Sequence, residues 1–383
     1  MDKPNCFLPD YQISTNFNDT VVNFSNKTAS SDRVGYQLID FNIPNIWKEN
    51  MGSGLVIAVI DTGIQADHID LASNIIKGKS FIDSEGTVSD QNGHGTHVSG
   101  IVSAQRNNMG VVGVAPESKI LPIKVLDKDG RGSLEALAEA ISFATDEGVD
   151  VINVSLGGTF NFKSVRNAIL KAYKKNIPVI CAAGNNGDLG KIMFPAYYPE
   201  TISIGAIDEE RVRTEWSQTG TNLDFMAPGD SIVSTFPTNQ YAAMSGTSMA
   251  SPWVAGVVAL MIAKHRKFGG QTPIEGVEDI REHLKKTALD IYKVGKDKKT
   301  GFGIISVSDT INTILKENKE NDKKINEENN FKEKINKIQL FLDAANEINS
   351  KNNKIKEDID KIDNKINKYN LYLDEIKNII DKI

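Results

Sequence analysis

Cysteine is almost absent: two thiols in 383 residues cannot substitute for a hydrophobic core, so a disulfide scaffold is excluded. Basic charge is not in excess either. Lys and Arg number 44 against 50 Asp and Glu, a net charge of −6, which leaves no electrostatic footprint for nucleic acid or an anionic bilayer. No stretch approaches the roughly 18 uninterrupted apolar residues of a spanning helix, so no membrane partner is expected. The opening Met1-Asp2-Lys3-Pro4-Asn5-Cys6 has no apolar leader core, which points to a cytoplasmic protein. A secreted protein already relieved of its leader would read the same. Glycine and proline stop early, with Pro273 and Gly303 the last of each.

What remains suits a folded protein followed by a helical tail. With 40% hydrophobic and 25% charged residues, there is material for one large domain or two small ones. Leu55–Ile60, Val149–Val154 and Ile177–Cys181 are short apolar runs that read as buried strands. Ser133–Thr145 and Ser164–Lys174 between them read as amphipathic helices. Buried strands alternating with helices imply an α/β fold with a parallel sheet covered on both faces. Ligands in such folds bind beyond the carboxyl ends of the strands. Residues 1–35 are expected to form an N-terminal extension, 36–315 the main domain and 316–383 the tail. Cys181 lies in an apolar run, so a buried free thiol is expected rather than a bridge to Cys6.

In the tail, apolar residues recur at Ile338, Phe341, Ala345, Ile348, Ile355, Ile359, Ile362, Ile366, Tyr369, Leu373, Ile376, Ile380 and Ile383, with Asn352 the one polar seam position. Spacings of three and four are a heptad pattern. One long coiled-coil helix and a hairpin turning at Asn349-Ser350-Lys351-Asn352-Asn353 fit it equally. A parallel in-register pair would set Lys351 against Lys356 and Asp358 against Asp363, like against like. Antiparallel self-association, an internal hairpin or an unknown partner is therefore favoured.

Three segments carry chemistry. Val59-Ile60-Asp61-Thr62-Gly63 ends a buried strand in a carboxylate. Asn92-Gly93-His94-Gly95-Thr96-His97-Val98 sets a histidine between glycines at the head of an apolar helix. Ser245-Gly246-Thr247-Ser248-Met249-Ala250-Ser251-Pro252 is a small-residue turn leading into a helix from Trp253 to Lys264. A serine at a helix start, a histidine and a buried aspartate are the parts of an activated nucleophile. The serine needs a base for its proton, and the imidazole needs an anion to hold its tautomer. Each piece alone has a plainer reading as turn residue, structural histidine or helix cap. The conjunction, in the order Asp, His, Ser, is specific.

Asp61-Thr62-Gly63, His94-Gly95-Thr96-His97-Val98-Ser99-Gly100 and Gly246-Thr247-Ser248-Met249-Ala250-Ser251-Pro252 resemble the three signatures of the subtilisin-like serine proteases, which share this order. The resemblance spans roughly residues 40–310. It implies a three-layer α/β/α fold with a mostly parallel sheet, and endopeptidase activity on protein or peptide substrates through an acyl-enzyme. By motif, Ser248 is the nucleophile, His94 the base and Asp61 the orienting carboxylate. Asn185, in Cys181-Ala182-Ala183-Gly184-Asn185, matches the oxyanion-hole residue. His97 is expected to be structural.

The same resemblance implies a substrate groove and a metal. Gly130-Arg131-Gly132 and Ser155-Leu156-Gly157 look like the two edges that hold an extended peptide. Leu126, Leu134 and Leu137 match the pocket for the fourth residue before the cut. Ala182, Ala183 and Gly184 would wall the pocket for the residue just before it. Met193 stands where the family often has glycine at that pocket's floor, which disfavours very large aromatic residues. Asp70, the Asn107 side chain and the carbonyls of Gln105, Met109 and Val111 match a structural Ca²⁺ site in a loop inserted in the helix after His94. Trp253 departs from the family, where a histidine often follows Ser-Pro.

The short stretch before the first core strand is most like the intracellular branch. That branch is restrained by an N-terminal extension with a proline across the active site, and Phe7-Leu8-Pro9-Asp10-Tyr11 is a loose match. Two other readings stay open: a protease of this fold that matures one leader peptide, and a catalytically idle scaffold acting through its coiled coil. The intact triad and Asn185 argue against the second.

Overall fold

Aliphatic runs four to six residues long are too short for core helices and apolar on both faces, so they become strands of a covered parallel sheet. The structure is a computed structural model that describes residues 5–9, 12–13, 32–82, 86–267, 274, 276–311 and 356–380. In chain order the strands are β1 (Asn5–Phe7), β2 (Gln12–Ile13), β3 (Val56–Asp61), β4 (Lys79–Ser80), β5 (Lys119–Lys124), β6 (Arg131–Ser133), β7 (Val151–Val154), β8 (Val179–Ala182), β9 (Ile202–Ile207), β10 (Phe225–Pro228), β11 (Ile232–Phe236) and β12 (Gln240–Ser245). The helices of this part are α1 (Tyr36–Ile39), α2 (Ile43–Ile46), α3 (His94–Ser103), α4 (Leu134–Asp146), α5 (Lys163–Lys174), α6 (Thr247–Lys267) and α7 (Val277–Thr287). Up to residue 311 the strands and helices read from the sequence are present, with ends displaced by a residue or two except at the helix after Ser248. Ser133 caps α4, its hydroxyl accepting the Ala136 N–H at 3.1 Å.

Seven parallel strands form the main sheet in the order β10-β9-β8-β7-β3-β5-β4. α3 packs with α6, and α4 with α5, which gives three α/β/α layers. The chain adds β5 on one flank of β3 and then β7 on the other, so the winding reverses beside β3. A strand at such a switch point opens a crevice at its carboxyl end, and Asp61 is that end.

The sequence places the start of α6 at Trp253, but the helix begins at Thr247, so Ser248 lies in its first turn. Pro252 inside it has no N–H for the Ser248 carbonyl four residues back. That carbonyl instead accepts the Ser155 hydroxyl at 3.1 Å, and the helix runs on. α6 is long and apolar enough to cross a membrane, but 94% of its apolar window is buried inside the fold. Trp253 is fully buried, donates from Nε1 to the Gln37 carbonyl at 2.7 Å and meets Phe41 edge-on. This ties α1 and α2 to the core helix. On the far side, Asp224 accepts Arg281 of α7 at 2.8 Å and Lys296 at 3.0 Å.

Contact density divides the chain into residues 1–315 and 316–383. In the second unit the described part is one helix, Lys356–Ile380. Ile362, Tyr369 and Ile376 of the expected heptad seam are exposed, and Ile366 and Leu373 half-buried. The seam positions from Ile338 to Ile355, and Ile383, lie outside the described residues.

Candidate active site

The carboxyl end of β3 and the N-terminus of α3 converge on a buried hydrogen-bonded Asp–His pair. His94 Nδ1 lies 2.8 Å from Asp61 Oδ1, with both side chains essentially inaccessible. The Thr62 N–H donates to the same Oδ1 at 2.7 Å. With Nδ1 donating to the carboxylate, Nε2 is the nitrogen left to accept a proton. Two glycines make this approach feasible. Gly93 turns the chain into α3 with φ +105, and a Cβ there would strike the Phe236 ring at 2.4 Å. At Gly95 a Cβ would lie 2.2 Å from the Gly63 carbonyl oxygen.

His97 is structural, as its position in the motif suggests. It is fully buried, its Nε2 lies 3.0 Å from both the Ile232 and Ala242 carbonyls, and burial drives its pKa down to about 3. The other three histidines stand elsewhere: His68 bonds the Gln240 carbonyl, His283 bonds the Thr310 carbonyl, and His265 lies in the last turn of α6.

Ser248 is fully buried in the first turn of α6 and donates its hydroxyl to the Ser155 carbonyl at 2.9 Å. Its own N–H sits at the positive end of a 21-residue helix. Asn185 follows β8, and its carboxamide oxygen accepts the Thr247 N–H at 2.9 Å and hydroxyl at 2.8 Å. Those two donors fix which end of the amide faces Thr247 and turn the nitrogen the other way. Thr247 also holds Gly184 by accepting its N–H at 3.0 Å. Sequence reading singled out Asp61, Ser248 and Asn185 but gave no role to Thr62, which follows Asp61, or to Thr247, which precedes Ser248, since a threonine next to a motif residue has no signature of its own.

The two expected groove edges face each other across an occupant. β1 pairs antiparallel with β6, Cys6 opposite Gly132. On its other side Phe7 exchanges both main-chain bonds with Gly157, at 2.9 and 3.0 Å, and the Leu8 N–H donates to the Gly130 carbonyl at 3.1 Å. Cys6 is fully buried and belongs to the same apolar cluster as Leu126, Leu134, Leu137 and Leu156. Burial pushes its thiol up to about 12, and both cysteines are free. Met193 is buried, and Cβ atoms added at Gly157 or Gly184 would meet its side chain at 3.1 and 3.0 Å. It therefore fills the space between one groove edge and the Ala182-Ala183-Gly184 wall. Residues 10–11 lie outside the described part.

The expected metal ligands also gather in one place. The loop follows the end of α3 at Ser103 rather than interrupting a helix, and Asn108 and Gly110 turn it through positive φ. Asp70 is fully buried. Its carboxylate accepts the Tyr241 hydroxyl at 2.8 Å, the Val111 N–H at 2.9 Å and the Asn107 amide at 3.1 Å. Burial raises the Asp70 pKa, and these three donors oppose that rise. Asp32 accepts the Asn107 and Met109 N–H groups. Among the described residues no three His, Cys, Asp or Glu side chains cluster. The donor set is one buried carboxylate, one carboxamide and main-chain carbonyls, hard oxygens that fit a calcium ion.

A buried Asp–His pair, a serine heading a buried helix and a groove lined by main-chain donors place this α/β protein among the serine proteases. The chain belongs to the subtilase family, whose model matches residues 52–337. It is 40% identical over 280 residues to subtilisin DY of Bacillus licheniformis, covering 71% of this chain and 98% of that protein. It is 45% identical over 226 residues to an intracellular serine protease of Paenibacillus polymyxa, covering 57% and 69%. Thermitase of Thermoactinomyces vulgaris is 40% identical over 267 residues, covering 70% and 91%.

Proposed function

We propose that the protein is an endopeptidase working through an acyl-enzyme, with Ser248 as nucleophile, His94 as base and then acid, Asp61 as orienting carboxylate and Asn185 as oxyanion donor. The observation that carries this reading is the buried 2.8 Å His94–Asp61 bond at the switch point of the sheet. Ser248 Oγ attacks the peptide carbonyl carbon and its proton passes to His94 Nε2. The Ser248 N–H and the Asn185 amide stabilise the oxyanion. The C–N bond breaks as His94 returns the proton to the leaving amine. Water, deprotonated by His94, then releases the acid product and restores Ser248.

Substrate is held as an extended strand between β6 and Ser155–Gly157, main chain to main chain. A substrate N–H reaching Ser155 would take that carbonyl from the Ser248 hydroxyl and release the hydroxyl toward His94. Fluorophosphonate labelling tests the assignment. Ser248 of the wild type should carry the label, and Ser248→Ala should lose both label and turnover. Hydrolysis by Ser248→Ala at the wild-type rate would overturn it.

The N-terminal extension restrains the enzyme by lying in this groove as a substrate would. Its support is β1, sandwiched between β6 and Gly157. Pro9 follows Leu8 and has no N–H to offer Ser155, so the Ser248 hydroxyl stays on that carbonyl. Asp70, Asn107 and the carbonyls of Gln105, Met109 and Val111 would hold a structural calcium ion, which would cross-link the loop. The similarity to intracellular serine proteases favours action on cytoplasmic proteins, with the C-terminal heptads as a site of self-association.

A further inference from the structure

We propose that Asp90 is a positioning residue for peptide hydrolysis, acting through Thr62 to hold the Asp61–His94 pair in register. It rests on the triad reading above. Asp90 is 8% exposed and its carboxylate accepts five hydrogen bonds. Oδ1 takes the Thr62 hydroxyl at 2.9 Å, the Asn92 N–H at 3.0 Å and the Gly93 N–H at 2.8 Å. Oδ2 takes the Thr96 N–H at 2.9 Å and hydroxyl at 2.6 Å. Asp90 therefore grips the head of α3, which carries His94, and also the residue that follows Asp61.

Thr62 completes the link from its side. Its N–H donates to Asp61 Oδ1, its hydroxyl accepts the Gly95 N–H at 2.9 Å, and its carbonyl accepts Lys124 Nζ at 2.6 Å. Thr62 and Lys124 are fully buried. The Thr62 N–H and His94 Nδ1 share one carboxylate oxygen, so a tilt of the Thr62 peptide moves the acceptor on which the imidazole is hung. Every group facing Asp90 is a donor. An asparagine there must aim its NH₂ at N–H and O–H groups whichever way it turns, losing bonds to a charged acceptor. Among the described residues, the charged and titratable groups tied to the pair are Lys124 on β5 and Asp90, both through Thr62, and His97 on the same helix as His94. Asp90 is thus an acidic side chain bonded to the residue that follows Asp61 and to the turn that carries His94, where the imidazolium forms during turnover.

The test uses the full chain, with active sites titrated by fluorophosphonate so that kcat refers to competent enzyme. Asp90→Asn should lower kcat by about 10- to 100-fold, leave KM within about twofold because the groove edges are untouched, and move the acid limb of kcat/KM to lower pH. Thr62→Val, which changes no charge, should lower kcat by about tenfold without moving the limb, and Thr62→Ser should recover most of that loss. Unchanged kcat in both Asp90→Asn and Thr62→Val overturns the proposal. So does a loss confined to melting temperature with kcat per titrated site and the limb unmoved. If Asp90→Asn does not fold, the Thr62 pair decides by kcat and rescue. Ser248→Ala is measured alongside: wild-type turnover there overturns the triad reading and this one with it, whereas an inactive Ser248→Ala leaves the Asp90 and Thr62 variants to decide.

Discussion

Gly95→Ala sets two physical effects against each other. Gly95 sits one residue into α3, where alanine is favoured over glycine by about 1 kcal/mol. The added Cβ would, however, lie 2.2 Å from the Gly63 carbonyl oxygen and 3.1 Å from the Asp61 Cβ. A carbon–oxygen contact settles near 3.3 Å or more, so α3 must retreat from the end of β3 by about 1 Å. Relieving such an overlap costs about 1–3 kcal/mol, which the gain in helix propensity partly offsets. The melting temperature should therefore fall by only a few degrees. Activity should suffer far more. A 1 Å retreat takes the 2.8 Å His94–Asp61 bond beyond hydrogen-bonding range, and a displacement of that size costs about 10²-fold in rate. The assay is kcat/KM on a fluorogenic peptide beside a thermal melt of the same sample. A variant that melts higher and cleaves at the wild-type rate would refute the argument, because α3 would then have a way to relax that spares the pair.

Deleting residues 1–9, which spares β2, should raise the initial rate about tenfold and abolish any lag. Main-chain bonds of about 1 kcal/mol each hold the segment, those to Gly157 and Gly130 and those of the β1–β6 ladder, and ordering it offsets much of that. Equal progress curves for deleted and full-length protein would discard the restraint. Pro9→Ala supplies the missing N–H and should speed cleavage at that position, read by mass spectrometry. Chelation should lower the melting temperature and hasten autolysis, since an ion bound only by the folded state stabilises it, and Asp70→Ala should erase the difference. Superimposable melts with and without chelator would remove calcium from the account. Burial lowers the His97 pKa from 6.5 to about 3, so below pH 6.5 the unfolded chain binds a proton that the folded chain refuses. Stability on this account is whole above that pH and falls by about 5 kcal/mol as pH drops to about 3. His97→Asn should move the acid-unfolding midpoint to lower pH, and an unmoved midpoint would show that another group governs it.

The elements and the three signature segments were legible because they are local. Alternating strand and helix periods and the small-residue turns before His94 and Ser248 act within a few residues, and apart from α6 each element lies within a residue or two of its reading. The start of α6 was misplaced because Pro252 argues against a helix. Only the packed fold brings Ser155, 93 residues away, to the carbonyl that Pro252 leaves free. The same limit hid Thr62, Thr247 and Asp90. Asp90, four residues before His94, fits the capping preference of an N-terminal turn, but nothing local says that Thr62, 28 residues back, is its partner. The pairing of β1 with β6 depends on a separation of some 127 residues. Short-range periodicity is written into the order of residues, whereas which polar groups meet is decided when the sheet closes and each buried donor must find an acceptor.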